Sequence, residues 1–531
     1  MQQNLRIPVK AIPFFLGLIL GLYFITLNIT GHTFANYPGD LGDSRFINYI
    51  FEHGYKFFKG EETSFWNAPF MFPEHDIITY SDNVLGTTPF YSFFRLSGFD
   101  RETSFQLWYV LMVVLNYSCC YWFLVKLFRN RYAAVLGAMI FAFSMGLQSQ
   151  VTHPQLFVRF PIPLTFLAGI FFYKELQSKY FFLMLLLIAY QFYCVLYYGF
   201  MLCIPAALYL FICLIYKHKT FFEKIKSIKW LVLMLFSVIA NMLLLLPLML
   251  PYHERLKGLP YNQFPNIFLT IPTVKSFFYS QPGNPIWKCL EKMCENYETP
   301  WNHQLFPGEI AMISAFIFAA IIIMALILKK TWLNSISEVP CLIFLIIGFI
   351  TFILFVRFGS FSLYKYVMHI PGFGSMRALQ RIINIHLLFF SIAVTFVFSL
   401  LFNKTAKLKI PVFLAASFLL IADNYYPQGK SYSTPKQVSQ LRVNSLMEKM
   451  KTIPKGSIVS CETEKNPDDI VGYILDAMLA TQSLGLKCLE GYTGYCPAGY
   501  ERFWKNMDAE GRKKWIAYNK MNANDIYIIP F

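Results

Sequence analysis

The feature that most constrains this chain is a succession of apolar stretches, each about as long as a bilayer crossing. They begin near Ala11, Phe105, Tyr132, Leu156, Tyr180, Phe200, Trp230, Glu309, Cys341, Ile382 and Ile410, which makes about eleven. Crossing the hydrocarbon core takes ~20 such residues. Lipid offers the backbone no hydrogen bonds, so segments of this kind are predicted to be helices that satisfy their own N–H and C=O groups. With 56% hydrophobic and 14% charged residues, the chain lacks the polar surface to coat several soluble domains. The predicted fold class is therefore mainly α, a polytopic transmembrane helical bundle. Pro161, Pro163 and Pro205 fit within it, because neighbouring helices satisfy the carbonyls they free.

Charge sets the expected orientation. Basic clusters at Lys126/Arg129/Arg131, Lys174/Lys179, Lys217 to Lys229, Lys329/Lys330 and Lys404/Lys407/Lys409 all fall on the side of the N-terminus, where Arg6 and Lys10 also lie. Positive-inside makes that side cytoplasmic. The net +16 is spread over these short clusters rather than one soluble face, which excludes a nucleic-acid partner. No small-x-small cleavage site follows the first stretch, so a retained helix is expected rather than a signal peptide. An odd number of spans places the C-terminus outside. The expected organisation is a transmembrane domain over 1–424, with outer loops 32–103 and 252–307, and a small extracytoplasmic α/β domain over 425–531. In that domain Lys436 to Met450 and Pro467 to Ser483 read as helices, and Ser457 to Cys461 and Asp525 to Ile529 as strands. The expected site is the cytoplasmic (inner) membrane. Outside it, pairing is open to Cys461, Cys488 and Cys496, and to Cys289 and Cys294.

The segment Gly39-Asp40-Leu41-Gly42-Asp43-Ser44-Arg45-Phe46 follows the first span directly and opens an amphipathic stretch to Phe58. Two roles are open to its carboxylates. Partial desolvation at the membrane boundary makes a carboxylate a better proton acceptor for a hydroxyl nucleophile. Alternatively, Asp40 and Asp43 cap the helix expected near Ser44.

A first span followed at once by a Gly-Asp motif in a long outer loop resembles the GT-C superfamily of polytopic glycosyltransferases. Trp66 to Pro73, Tyr80 to Asn83, His153 to Leu156, Phe306 to Glu309, Pro371 to Phe373, Met376-Arg377 and Arg381 resemble, in that order, a family of uncharacterised bacterial GT-C-like proteins. The resemblance runs from about Ala11 to Asn424, with further segments at Leu475 to Met478 and Glu490 to Pro497. It implies an inverting sugar transfer from a polyprenyl-phosphate-sugar lipid donor to a glycan, lipid or protein acceptor outside the cytoplasm. It makes Asp43 the first choice of general base and Asp40 the second. Members differ in whether a divalent metal assists. The sequence contains no complete oxygen-ligand set, so a metal stays an open alternative and no ligand is assigned.

Arg377 and Arg381 are four apart, so a helix would present both to a donor phosphate; the alternative is that they anchor the span end by snorkelling. Arg159 lies inside a span, where an ionisable group is costly unless it faces a polar cavity or phosphate. His153 and Gln155 occupy an outer turn, and Glu52, His75, Asp82 and Glu309 are further candidates for the substrate cleft. Glu309 also begins a span, where a helix N-terminus stabilises an anion without chemistry. Tyr492 and Tyr495 are placed to stack on sugar faces or to pack a turn. P-loop, HExxH and Ser-hydrolase elbow signatures are absent. The rival readings are a transporter or lipid flippase, and a non-catalytic scaffold for envelope assembly.

Overall fold

The structure, a computed structural model, describes residues 9–148, 150–258, 263–329, 336–425, 433–462 and 469–531. Arg6, Lys330 and Pro467, named above, lie outside the described residues. The chain is mainly helical, 68% helix and 5% strand. A helix forms at each apolar stretch, beginning within a few residues of the expected position. Among the described residues seven are long and apolar enough to cross a membrane: Ile12–Thr30, Arg101–Phe128, Pro154–Glu175, Leu196–Tyr216, Ile228–Leu256, Glu309–Ile327 and Leu379–Lys404. The other four, Arg131–Phe143, Ser178–Cys194, Cys341–Phe355 and Lys409–Asn424, are shorter. This is a multi-pass membrane protein.

Burial sorts the helices. Ala133 to Phe143 are all buried, so helix Arg131–Phe143 sits in the centre, packed against Arg101–Phe128 and the last long span. Helix Ile228–Leu256 lies at the periphery with only 17% of its apolar window buried, a face suited to lipid tails. Arg129 and Lys174 both pair with Glu338, which ties two connections and the end of helix Pro161–Glu175 together at one end of the bundle.

The opposite end carries the long loops and the C-terminal segment. Strand Asn36–Pro38 of the first loop pairs antiparallel with Ser433–Pro435. Beyond it, strand Ile458–Glu462 lies between Lys487–Cys488 and Ile526–Pro530, parallel to both. Helix Ile470–Leu484 packs on this small sheet, and helix Lys436–Met450 packs on that helix.

Helix Asp43–Phe58 is amphipathic as expected, but Ser44 to Gly54 are buried on every side. Its polar face is covered by other elements rather than by water. Arg45 meets Asp476 at 2.5 Å, Glu52 meets Arg95 at 2.8 Å, and Gln482 Nε2 donates to the Tyr49 carbonyl at 3.0 Å. No cysteine is paired in this structure. Cys461 and Cys488 are buried as thiols, and Cys488 Sγ donates to Glu490 Oε2 at 3.4 Å.

Candidate active site

Asp43 is the first residue of its helix, and Gly42 before it caps without a side-chain bond. The carboxylate is thus not engaged in capping; it faces two partners from distant parts of the chain. Tyr492 Oη donates to Oδ1 at 2.7 Å, and His153 Nε2 lies 3.0 Å from Oδ2. A carboxylate only accepts, so Nε2 carries the proton and Nδ1 accepts from the Thr152 hydroxyl at 2.9 Å. Burial and the Arg381 charge lower the His153 pKa to about 4, with Asp43 pulling the other way and Arg377 adding to the lowering. The imidazole is therefore neutral at physiological pH. An NMR titration of His153 should show a midpoint near 4; a midpoint at or above the ordinary 6.5 would contradict this arrangement.

Asp40 does not line the cavity that Asp43 opens into. Its Oδ1 accepts from the Gly42 N–H at 3.0 Å and closes the turn ahead of the helix. Burial, then the neighbouring Asp43 charge, pushes its pKa up.

That cavity encloses about 640 Å³, and Asp43, Asp82, His153, Gln155, Arg377, Arg381 and Tyr492 all line it. Gln155 Nε2 donates to Asp82 Oδ2 at 3.4 Å, and burial raises the Asp82 pKa against the opposing pull of Arg381. The turn that delivers the arginines depends on Gly372, at φ +87°, where a side chain would run into the Phe200 ring.

The expected single helical face for Arg377 and Arg381 is absent. Met376 is extended, and Leu379–Ile382 forms a 3₁₀ turn. Side chains take the backbone groups that a helix would use: Arg377 N–H donates to Tyr197 Oη at 3.3 Å, and its carbonyl accepts from Thr270 Oγ1 at 2.8 Å. Both guanidinium groups nevertheless reach the cavity. Arg377 lies 4.7 Å from the centre of the Tyr495 ring and donates to the Gly494 carbonyl at 2.9 Å. Arg381 lies over Tyr197 at 4.5 Å. Among the described residues neither forms an ion pair with a carboxylate.

The remaining sequence candidates stand away from the cavity lining. Arg159 is fully buried, with Nη2 donating to the Phe141 carbonyl at 2.6 Å and the guanidinium against the Phe141 ring. Glu52 is occupied by Arg95 and by Tyr91 Oη at 2.6 Å. His75 contributes its carbonyl to Arg255, and Glu309 begins a helix whose first N–H groups bond to Asp423. Sequence reasoning missed Arg255, in the last turn of helix Ile228–Leu256. It pairs with Glu74 at 2.8 Å, lies 4.2 Å from the Tyr80 ring centre and helps line the cavity, as do Tyr197 and Trp504. A cation directly after an apolar run was its one signal. Among the described residues no group of three or more His, Cys, Asp or Glu side chains is placed to hold a metal ion.

A bundle of apolar helices, a first loop that opens on a carboxylate at one end, and a C-terminal segment folded back onto that loop together make up the fold. The same fold is found in the archaeal oligosaccharyltransferase AglB from Archaeoglobus fulgidus, solved with an inhibitory peptide and a dolichol-phosphate. The TM-score is 0.51 at 12% identity, covering 98% of this chain and 69% of that one. Another structure, of the Archaeoglobus fulgidus oligosaccharyltransferase with zinc and sulfate, aligns at a TM-score of 0.46 and 13% identity over 90% of this chain and 62% of that one. No family model and no curated protein matches the sequence.

Proposed function

We propose that this chain is a membrane glycosyltransferase of GT-C type, moving a sugar from a polyprenyl-phosphate lipid to an acceptor hydroxyl on the outer face of the cytoplasmic membrane. The observation that carries the reading is one cavity shared by a carboxylate, Asp43, and two guanidinium groups, Arg377 and Arg381, that form no ion pair among the described residues. Asp43 accepts the proton of the acceptor as that group attacks the anomeric carbon. The bond from that carbon to the phosphate oxygen breaks, and its electron pair leaves with the phosphate. Negative charge grows on the departing phosphate, where the arginines stand to stabilise it. Two oxygens carry about four acceptor positions, and Tyr492 and His153 occupy two of them, so room remains for the incoming proton. A single displacement inverts the anomeric carbon.

In this reading 1–424 is the transmembrane domain and 425–531 an extracytoplasmic domain, with the N-terminus cytoplasmic. The bound dolichol-phosphate of the archaeal structure sharing the fold supports a lipid-phosphate donor. The acceptor is a glycan, a lipid or a protein. The test is transfer of label by purified protein in nanodiscs, from a polyprenyl-phosphate-linked hexose or pentose to an envelope acceptor fraction. Label transfer that depends on Asp43 supports the proposal; movement of the intact lipid between leaflets without sugar transfer would favour a flippase. Arg377→Gln and Arg381→Gln are each expected to raise the donor KM about 10- to 100-fold, the worth of one lost hydrogen bond to a charged group. An unchanged donor KM in both variants removes the arginines from the phosphate.

A further inference from the structure

We infer that the loop Tyr492–Tyr495 couples the two charged halves of the site: Tyr492 holds Asp43, Gly494 and Tyr495 hold Arg377, and the C-terminal segment thereby sets the spacing between proton acceptor and phosphate binder. The inference rests on the proposed chemistry and adds positioning residues to it.

Asp43 and Arg377 belong to elements far apart in the chain and make no direct bond, yet each is bonded to this one short loop. Tyr492 Oη donates to Asp43 Oδ1 at 2.7 Å. Two residues on, the Gly494 carbonyl accepts from Arg377 Nη2 at 2.9 Å, and the Tyr495 ring lies under the same guanidinium. Thr493 Oγ1 donates to the Tyr495 carbonyl, which keeps the turn between them closed.

The loop is itself anchored. Glu490, just before it, is fully buried and accepts from Ser460 Oγ at 2.6 Å and from the Cys461 N–H at 2.9 Å, both on the central strand of the small sheet. Its carbonyl accepts from the Met71 N–H at 3.1 Å, in the first outer loop. At Gly494 a Cβ would come within 2.8 Å of the Tyr80 carbonyl and 3.4 Å of Arg377 Nη2, so only glycine lets the loop pass between them. A segment fixed to the sheet behind and wedged against the first loop in front cannot shift one contact without the other.

Tyr492→Phe is the sharp variant, since the ring keeps its edge-on contact with Phe46 at 5.5 Å and loses only the donated hydrogen bond. His153 keeps its place at the other carboxylate oxygen in this variant. His153 is already neutral above about pH 4. Without that donor the carboxylate is held by His153 alone, so the variant should lower kcat about tenfold with the donor KM nearly unchanged. Tyr495→Leu should instead raise the donor KM roughly several-fold to tenfold with kcat nearly unchanged, because it removes the ring beneath Arg377.

Separate effects of this kind, with unaltered thermal stability, support the coupling. If Tyr492→Phe leaves kcat in place, or if both variants lower kcat and stability in parallel, the loop is merely a cover and the inference is overturned. Asp43→Asn run beside them separates the two levels. Full transfer by that variant would sink the proposed chemistry itself, whereas its loss together with an unchanged kcat in Tyr492→Phe would sink the coupling alone.

Discussion

Asp43→Asn should lower sugar transfer by about 10²- to 10⁴-fold, the range over which a positioned general base contributes. Asparagine matches the carboxylate in shape and its side-chain oxygen still accepts from Tyr492, so folding and donor binding should survive. What is lost is the ability to take a proton. Initial rates in nanodiscs, with thermal stability measured on the same preparations, check this expectation. A variant within twofold of the wild-type rate would contradict it. Asp40→Asn should have a far smaller effect, because Asp40 closes a turn outside the cavity.

Asp476→Ala should destabilise the protein by about 3–5 kcal/mol, the cost of breaking a buried ion pair by removing one partner. Asp476 accepts from Arg45 Nη2 at 2.5 Å and from Arg442 Nε at 2.6 Å, and both Arg45 and Asp476 are almost wholly buried. Without the carboxylate, the Arg45 guanidinium is left uncompensated inside the contact between helix Asp43–Phe58 and helix Ile470–Leu484. Denaturant unfolding in micelles, with limited proteolysis of the C-terminal segment, measures the effect. A pair made of Arg45→Met and Asp476→Leu should recover most of the loss, since replacing both charges with apolar groups removes the desolvation penalty. Unchanged stability in Asp476→Ala would mean that the segment docks by other contacts.

The helices were legible because lipid solvation imposes one requirement, a long apolar run, and each helix writes it locally in the sequence. Where the sequence was misleading, the cause was tertiary. Helix Asp43–Phe58 reads as amphipathic, yet its polar face is covered by the C-terminal segment, over 400 positions away in the chain. Arg377 and Arg381 have helical spacing, but Thr270 and Tyr197 capture the backbone groups between them and the chain turns as 3₁₀ instead. The cavity brings together Asp43, His153, Arg377, Arg381 and Tyr492 from four separate motifs, whereas Arg159 and Glu52, equally plausible as charged residues, are taken by other partners. Residue type alone could not separate the two groups. The bond from Tyr492 to Asp43 left no trace in the sequence, because nothing local records a contact between loops.

The most direct test of the central claim is a structure of the protein in nanodiscs with a non-transferable polyprenyl-phosphate sugar analogue. The account expects the phosphate within hydrogen-bond distance of Arg377 and Arg381, with the anomeric carbon facing Asp43 across the cavity. A phosphate bound elsewhere, with Asp43 out of reach of the sugar, would contradict it.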